Sequence, residues 1–496
     1  MTHTIRLLPG HPDDDNRDYL PQTLQYSDVV VNENGNNSQP YPTRLQEFRE
    51  PLIDNRSVGW YVYVPESYEP GQAVPLVVSL HGGLMTGWGQ AIYTSWTQLA
   101  EREGFIVLFP DASSRRLWTI DVAEKFIELA TTPNPSGIYV EAPAPSAQEN
   151  QDIRLILALI ERTAADFSID RSRVYIQGMS MGNVMSDQFA RHFGDRLAGA
   201  SGSGGPSALG VIFDADGSPV NEGGPVPICL TTLELDTVPP FTGGTDREVI
   251  RGNRDYWLGV NGVRSLPEIS IVGQDNFAFY TGDHADVVVR DVKNRDHGQT
   301  FDDAELVWDY LFSGTRRSVN GDLERVEPLS PRRGDSFSIA VAAGGNRAWL
   351  NNEIVDLGGR AFIREARKYH GLDGDVLVRC EYVFVPLSFA ATALSATITS
   401  SEDGRSSLLV LSDGRELGFA DGSIGCVIDG RIRSMLSEAV HRDGELWVSL
   451  EWLSAFVLDL RVSQCEGVIY VTDHHALLSK NMAHLIEDLL TDGRRS

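Results

Sequence analysis

An α/β domain on a mostly parallel sheet, followed by a smaller α+β domain with a duplicated unit, is the fold class that the sequence predicts. Three observations predict it. Between Trp60 and about Thr315, short continuous apolar runs alternate with segments of helical periodicity, the pattern of strands covered on both faces by helices. The stretch 316–335 then mixes charge, proline and glycine and reads as a linker. Beyond it, VFVPLSFAATAL around Val385 resembles LWVSLEWLSAFVL around Val448, 63 residues later. Two copies of one unit, each too small to bury its own core, would pair into one domain. The boundaries are then 1–55, 56–315, 316–335 and 336–496.

Taken in order, residues 1–55 are rich in Asp, Asn and Pro with little periodicity and read as an irregular arm wrapped on the next domain. Strands follow at 60–64 (WYVYV), 75–80 (PLVVSL), 105–109 (FIVLF), 173–177 (RVYIQ), 227–233 (PICLTTL) and 286–292 (DVVVRDV). Ile153, Ile156, Leu157, Ile160, Ala164 and Phe167 form one apolar stripe at helical spacing. Two further helices are predicted, one from Asn183 to Phe193 that stops at Gly194 and one from Asp302 to Phe312. In the last domain the strand-and-turn segments WLNNEIV (349–355) and VIDGRIR (427–433) precede the two copies, with a helix-like insertion near 361–370 in the first. Trp447 and Trp452 sit at helix-packing spacing and read as core rather than as a polymer-binding platform.

Composition bounds what such a chain does. Of its 496 residues, 42% are hydrophobic and 22% charged, as in folded globular proteins and unlike disordered or coiled-coil chains. Lys+Arg number 42 against 69 Asp+Glu, a net charge of −27, and that field repels phosphate backbones and anionic headgroups. Nucleic acid and membrane surfaces are therefore disfavoured partners. No apolar run approaches the roughly eighteen residues of a membrane helix, and the first residues lack a signal-peptide core. The chain reads as cytoplasmic by default, or as secreted if it is a processed mature form. Cys229, Cys380, Cys426 and Cys465 form no CxxC pair, which argues for buried thiols and against zinc or a disulfide framework.

The chemistry centres on Gly178-Met179-Ser180-Met181-Gly182, between a predicted strand and a predicted helix. A nucleophilic serine needs a sharp strand-to-helix turn that exposes its Oγ, and flanking glycines remove the side chains that would clash there. His81-Gly82-Gly83-Leu84 ends an earlier strand; there an N–H of Gly83 or Leu84, with that of Met181, would form an oxyanion hole. His81 itself reads as structural. The serine requires an imidazole to take its proton and a carboxylate to orient the imidazole. Asp236 follows the fifth strand and His297 the sixth. The rivals are Glu234, placed within the strand, Asp246 in the next loop, His284 at the wrong strand end, and His192 inside a helix. Trp118 and Phe241 are expected to line the substrate cleft.

With those residues in view, the region from about Trp60 to Thr315 resembles the polyhydroxybutyrate depolymerase and feruloyl esterase group of α/β-hydrolases, typified by carbohydrate esterase group 1. The matching stretches are YVYVPESYEPGQAVPLVVSLHGG, GFIVLFPDA, DRSRVYIQGMSMG, ELDTVPPF and RDHGQTF. Two motifs depart from the family: Leu84-Met85 follows LHGG where many relatives have a polar residue or Cys, and TTLELD replaces His-Gly-x-x-Asp. The resemblance implies an α/β-hydrolase fold and hydrolysis of a polyester, hydroxycinnamoyl or acetyl ester, polymeric substrates included. It implies Ser180 as nucleophile, His297 as base and Asp236 as acid, with no metal or organic cofactor. Residues 336–475 resemble the stalk-like domain named after the N-terminal region of copper amine oxidases, an expected assembly or polymer-contact element. Two other readings use the same residues: an acyltransferase that excludes water, and a polymer-binding scaffold with a vestigial hydrolase domain, against which the complete Ser, Asp and His set argues.

Overall fold

Each apolar run read between Trp60 and Val292 becomes a strand in the computed structural model, which describes residues 39, 41–135, 137–318, 320–370 and 375–491. Two units emerge. One runs to Ser265 and resumes from Phe279 to Arg332; the other takes Leu266–Ala278 and what is described from Arg333 onward.

The strands in chain order are β1 (Leu45–Ile53), β2 (Arg56–Tyr63), β3 (Val74–Leu80), β4 (Ile106–Pro110), β5 (Ile169–Met179), β6 (Gly199–Ser203), β7 (Ile228–Leu233), β8 (Glu268–Val272), β9 (Asp275–Tyr280) and β10 (Val287–Val292). In the first unit the sheet order is β1-β2-β4-β3-β5-β6-β7-β10. β2 pairs antiparallel with both β1 and β4, and every later neighbour pair is parallel. β3 and β4 are buried along their whole length, which is why their sequences are continuous apolar runs rather than alternating ones.

The helices of this unit are α1 (Gly87–Tyr93), α2 (Trp96–Glu103), α3 (Ile127–Thr131), α4 (Gln151–Asp166), α5 (Met181–Phe193), α6 (Leu209–Ile212), α7 (Asp246–Val260) and α8 (Asp303–Tyr310). α4 is the predicted apolar stripe; Asn150 caps it by accepting from the Asp152 and Ile153 N–H groups, and Ile153, Leu155, Ile156 and Leu159 are fully buried. Thr245 and Glu248 close a capping box on α7. Parallel pairing puts the C-terminal ends of β3, β5, β6, β7 and β10 on one side of the sheet, where open α/β sheets gather their functional loops.

Three boundaries differ from the sequence reading. Residues 45–53, placed in an irregular arm, are the edge strand β1; LQEFREPLI is charged because that edge faces water. Of the rest of the arm, residues 1–38 and 40 lie outside the described residues. The supposed linker 316–335 begins as a hairpin, Thr315–Arg317 paired antiparallel with Leu323–Arg325. Arg317 fastens it by donating to the carbonyls of Gly194 at 2.6 Å and Leu197 at 2.5 Å. The third difference is Leu266–Ala278, read as part of the catalytic domain. It belongs with the second unit, where Ile271 N–H donates to Asp335 Oδ2 at 3.1 Å and Ile269 N–H to Asn352 Oδ1 at 2.9 Å.

Among its described residues the second unit holds three antiparallel sheets. The two segments read as copies of one unit pair with each other: Val385 pairs with Val448, flanked by Phe384 with Ser449 and Pro386 with Trp447. The helix-like insertion near 361–370 is instead the strand Phe362–His370, paired with Asp375–Pro386. Phe362 stacks on Phe384 across that pair at 5.2 Å between ring centroids, a cross-strand contact that the helical reading overlooks. Trp447 and Trp452 are both buried, as core residues. Of the cysteines, Cys229 and Cys426 are buried, whereas Cys380 is exposed and departs from the expectation. No helix among the described residues is long and apolar enough to cross a membrane.

Candidate active site

Ser180 stands at the junction of β5 and α5 with φ 56° and ψ −122°, a conformation that costs a non-glycine residue on the order of 1–3 kcal/mol. The turn is so tight that a Cβ on Gly178 would lie 2.0 Å from Gly182 O, and one on Gly182 would lie 2.4 Å from Leu80 O. Glycine is therefore required at both flanks. The Ser180 N–H donates to Ser203 C=O at 2.9 Å, fixing the turn to the end of β6.

His297 and Asp236 arrive from the loops after β10 and β7. Ser180 Oγ lies 2.7 Å from His297 Nε2, and His297 Nδ1 lies 3.0 Å from Asp236 Oδ2. This pattern assigns the imidazole proton to Nδ1, donated to the carboxylate, and leaves Nε2 to accept from the serine. The other carboxylate oxygen of Asp236 accepts from Thr237 N–H at 2.8 Å. Gly204, at φ +61°, forms the floor beneath the pair, since a Cβ there would touch His297 Cε1 at 3.3 Å and Asp236 Oδ2 at 3.4 Å.

The rival groups are engaged elsewhere. Glu234 accepts from Lys293 Nζ at 2.7 Å and from Asn294 N–H at 2.8 Å. Asp246 accepts from Val238 N–H at 3.0 Å. His192, on α5, faces Glu222 and Asp121, and His284 precedes β10, at the opposite strand end from His297.

Of the two oxyanion candidates on the His81–Leu84 turn, the structure favours one. Leu84 N–H is already donated to Arg116 C=O at 2.7 Å, so the sequence-based expectation for Leu84 is corrected. Gly83 lies directly against Met181: a Cβ on Gly83 would be 3.6 Å from Met181 Sδ. Met181 heads α5, where first-turn N–H groups lack intrahelical acceptors and carry the positive end of the helix dipole.

The cleft assignments fare differently. Trp118 has no exposed surface; its indole N–H donates to His81 C=O at 2.7 Å and its ring lies 4.8 Å from that of His81. It buttresses the turn from behind and lines no cleft. Phe241 is half-buried in the short turn Pro240–Thr242 after Asp236.

His81 is structural. Its Nε2 accepts from Ala112 N–H at 3.0 Å, and Nδ1 donates to Gly82 C=O at 2.6 Å. Burial drives its pKa down to about 4, although the Gly82 carbonyl pulls the other way. The unfolded chain protonates this histidine near about 6.5 and the folded chain only near 4. Stability present above the higher value is thus lost as pH falls through that window. Between pH 7.5 and 5 the loss from this residue is about 2 kcal/mol. Urea unfolding of wild type and His81→Gln at the two pH values checks it: the variant's stability should fall less by about that amount, and equal falls would refute the assignment.

Sequence reasoning missed the polar residues that underlie the site. Ser79, Gln177, Ser201 and Thr231, on β3, β5, β6 and β7, are all buried. Above them Gln299 Nε2 donates to Asp303 Oδ2 at 2.6 Å, and Arg290 pairs with Asp303 at 2.8 Å. Asn183 on α5 ties the Gly204 and Gly205 carbonyls from its side-chain amide. The one available signal was the Gly204-Gly205 pair two dozen residues after Ser180.

No family model matches the sequence. Acetylxylan esterase A of Emericella nidulans is 28% identical over 162 residues, covering 32% of this chain and 46% of its own. Feruloyl esterase B of Piromyces equi is 22% identical over 262 residues, 50% of this chain and 44% of its own. The chain spans less than half the length of these curated relatives. Among solved structures, an acetyl xylan esterase from Aspergillus awamori overlays on 54% of this chain and 98% of its own, at 16% identity and a TM-score of 0.37, an overlay too loose to carry an argument.

Proposed function

We propose that this chain is a serine ester hydrolase of α/β-hydrolase architecture, working through an acyl-enzyme on Ser180. The observation that carries the reading is the unbroken line from Asp236 through His297 to Ser180, at 3.0 and 2.7 Å, at the head of α5. Ser180 Oγ attacks the ester carbonyl while its proton passes to His297 Nε2. The resulting oxyanion is stabilised by the N–H groups of Met181 and Gly83 and by the α5 dipole. Collapse breaks the ester C–O bond, and His297 returns its proton to the departing alkoxide. Water, deprotonated by His297, then attacks the acyl carbon, and the acid leaves as Ser180 recovers its proton. Asp236 holds the tautomer and balances the imidazolium that forms twice in the cycle.

For the substrate we infer an acetyl or hydroxycinnamoyl ester of a plant polysaccharide, the ester classes named in the relatives above; a polyester is the third arm of the test. A panel of nitrophenyl acetate, acetylated xylan, feruloylated arabinoxylan and polyester film, assayed for released acid, tests it. Release from the polyester alone would overturn the polysaccharide assignment, and release from none would overturn ester hydrolysis. The second unit we read as a stalk-like accessory module whose paired halves serve assembly or polymer contact.

A further inference from the structure

The geometry points to Tyr93 as a positioning residue that keeps the base loop, the nucleophile turn and the oxyanion turn in one arrangement, an inference that rests on the ester-hydrolase reading. Tyr93 closes α1 and is 3% exposed. Its ring packs with Met85 and Met179 in a closed apolar cluster. Met179 immediately precedes Ser180, and Met85 immediately follows the His81–Leu84 turn. The hydroxyl reaches the third part: it donates to Gln299 C=O at 2.9 Å and accepts from Gln299 N–H at 2.7 Å. One phenol therefore engages both backbone groups of the residue two beyond His297, the full use of a hydroxyl's donor with one of its acceptor sites.

The neighbouring bonds show how little slack the loop has. Ser203, whose carbonyl accepts the Ser180 N–H, donates its own hydroxyl to Gly298 C=O at 2.6 Å. Arg290 donates to Thr300 Oγ1 at 3.0 Å, and the Ser95 hydroxyl bonds Phe301 C=O. Beneath the loop lies the buried polar row rather than an apolar core: Gln299 Nε2 donates to Gln177 Oε1 and Thr231 Oγ1 to Asp303 Oδ1, both at 3.2 Å, and each such bond lost in a buried site is costly. A displacement of about 1 Å at a reacting group costs on the order of a hundredfold in rate. Loss of the Tyr93 hydroxyl would leave the Gln299 N–H and C=O buried without that partner, and the loop would relax to find others.

Tyr93→Phe keeps the ring and removes only the oxygen. For a soluble nitrophenyl ester, kcat should fall by about tenfold to a hundredfold with KM within about threefold. The rate at which a fluorophosphonate labels Ser180 should fall in proportion. Ser203→Ala, which frees Gly298 C=O, should move both readouts in the same direction. Tyr175→Phe removes a buried tyrosine hydroxyl that donates to Thr315 C=O at 2.6 Å, outside the base loop, and gives the comparison for a merely structural loss: a lower denaturation midpoint with kcat within about twofold. A soluble Tyr93→Phe enzyme that behaves like Tyr175→Phe would overturn the inference. If Tyr93→Phe does not fold, Ser203→Ala decides, and an unchanged kcat there overturns it. Retained turnover in Ser180→Ala would instead bring down the ester-hydrolase reading itself, whatever Tyr93 does.

Discussion

Ser180→Ala is expected to lower kcat on an activated ester by about 10⁴-fold or more while the fold and substrate binding persist. That factor corresponds to about 5.5 kcal/mol of transition-state stabilisation. It is large because the group that forms the bond to carbon, Ser180 Oγ, 2.7 Å from the base His297 Nε2, is removed. The fold should persist because alanine has the same backbone requirement at φ 56° and the turn is held by main-chain contacts, including Ser180 N–H to Ser203 C=O. Thermal unfolding and the dissociation constant of an uncleaved ester analogue check that half of the expectation. A fluorophosphonate should label wild type at Ser180 and leave the variant unlabelled; labelling of another serine in wild type would refute the assignment. Residual turnover in the variant reports what the oxyanion donors and substrate orientation supply alone.

How much of this was legible in the sequence follows from where each signal resides. Strands β2, β3, β4, β5, β7 and β10 announce themselves because burial makes most of their central residues apolar and the runs nearly continuous. β6 does not. Its GASGS sequence has no apolar run, since Gly199 faces the Phe312 ring and Gly202 faces Asn183, where a Cβ would fall 1.5 Å from Oδ1. Its identity as a strand comes from its neighbours. The triad is legible because its signals are local: a serine between glycines after a strand, then an acid and a histidine after later strands. The Tyr93 clamp is invisible because the hydroxyl acts on backbone atoms 206 residues away, and backbone atoms carry no sequence signature. The same reason separates Gly83 from Leu84: whether a main-chain N–H is free or taken by Arg116 C=O depends on a fold-level contact. Chain order puts Leu266–Ala278 in the first domain, whereas the backbone N–H groups of Ile269 and Ile271 bond to Asn352 and Asp335, which come later. A chain cut at Asp322 would strip those partners away, so the catalytic unit is not a simple N-terminal fragment.

Asp236→Asn should cost about 10⁴-fold in kcat, nearly as much as loss of the nucleophile, although the side chain touches neither substrate nor serine. As a carboxylate, Asp236 can only accept, and its Oδ2 at 3.0 Å therefore selects the imidazole with its proton on Nδ1. An asparagine turns as readily to present its NH₂, because the Thr237 N–H at 2.8 Å anchors the carbonyl oxygen on the other side. The NH₂ then faces His297 and favours the tautomer protonated on Nε2, in which the nitrogen facing Ser180 cannot take a proton. The charge that balances imidazolium is lost at the same time, so kcat and kcat/KM should fall together with KM little changed. Glu234→Gln weakens the Lys293 contact and Asp246→Asn the Val238 contact; with Asp236 at His297 Nδ1 unchanged, both variants should keep kcat within about tenfold of wild type. Steady-state kinetics on one soluble ester across the three variants decides between the carboxylates. Full activity in Asp236→Asn alongside a dead Glu234→Gln or Asp246→Asn would assign the orienting role to the rival and undo the proton path drawn through Asp236.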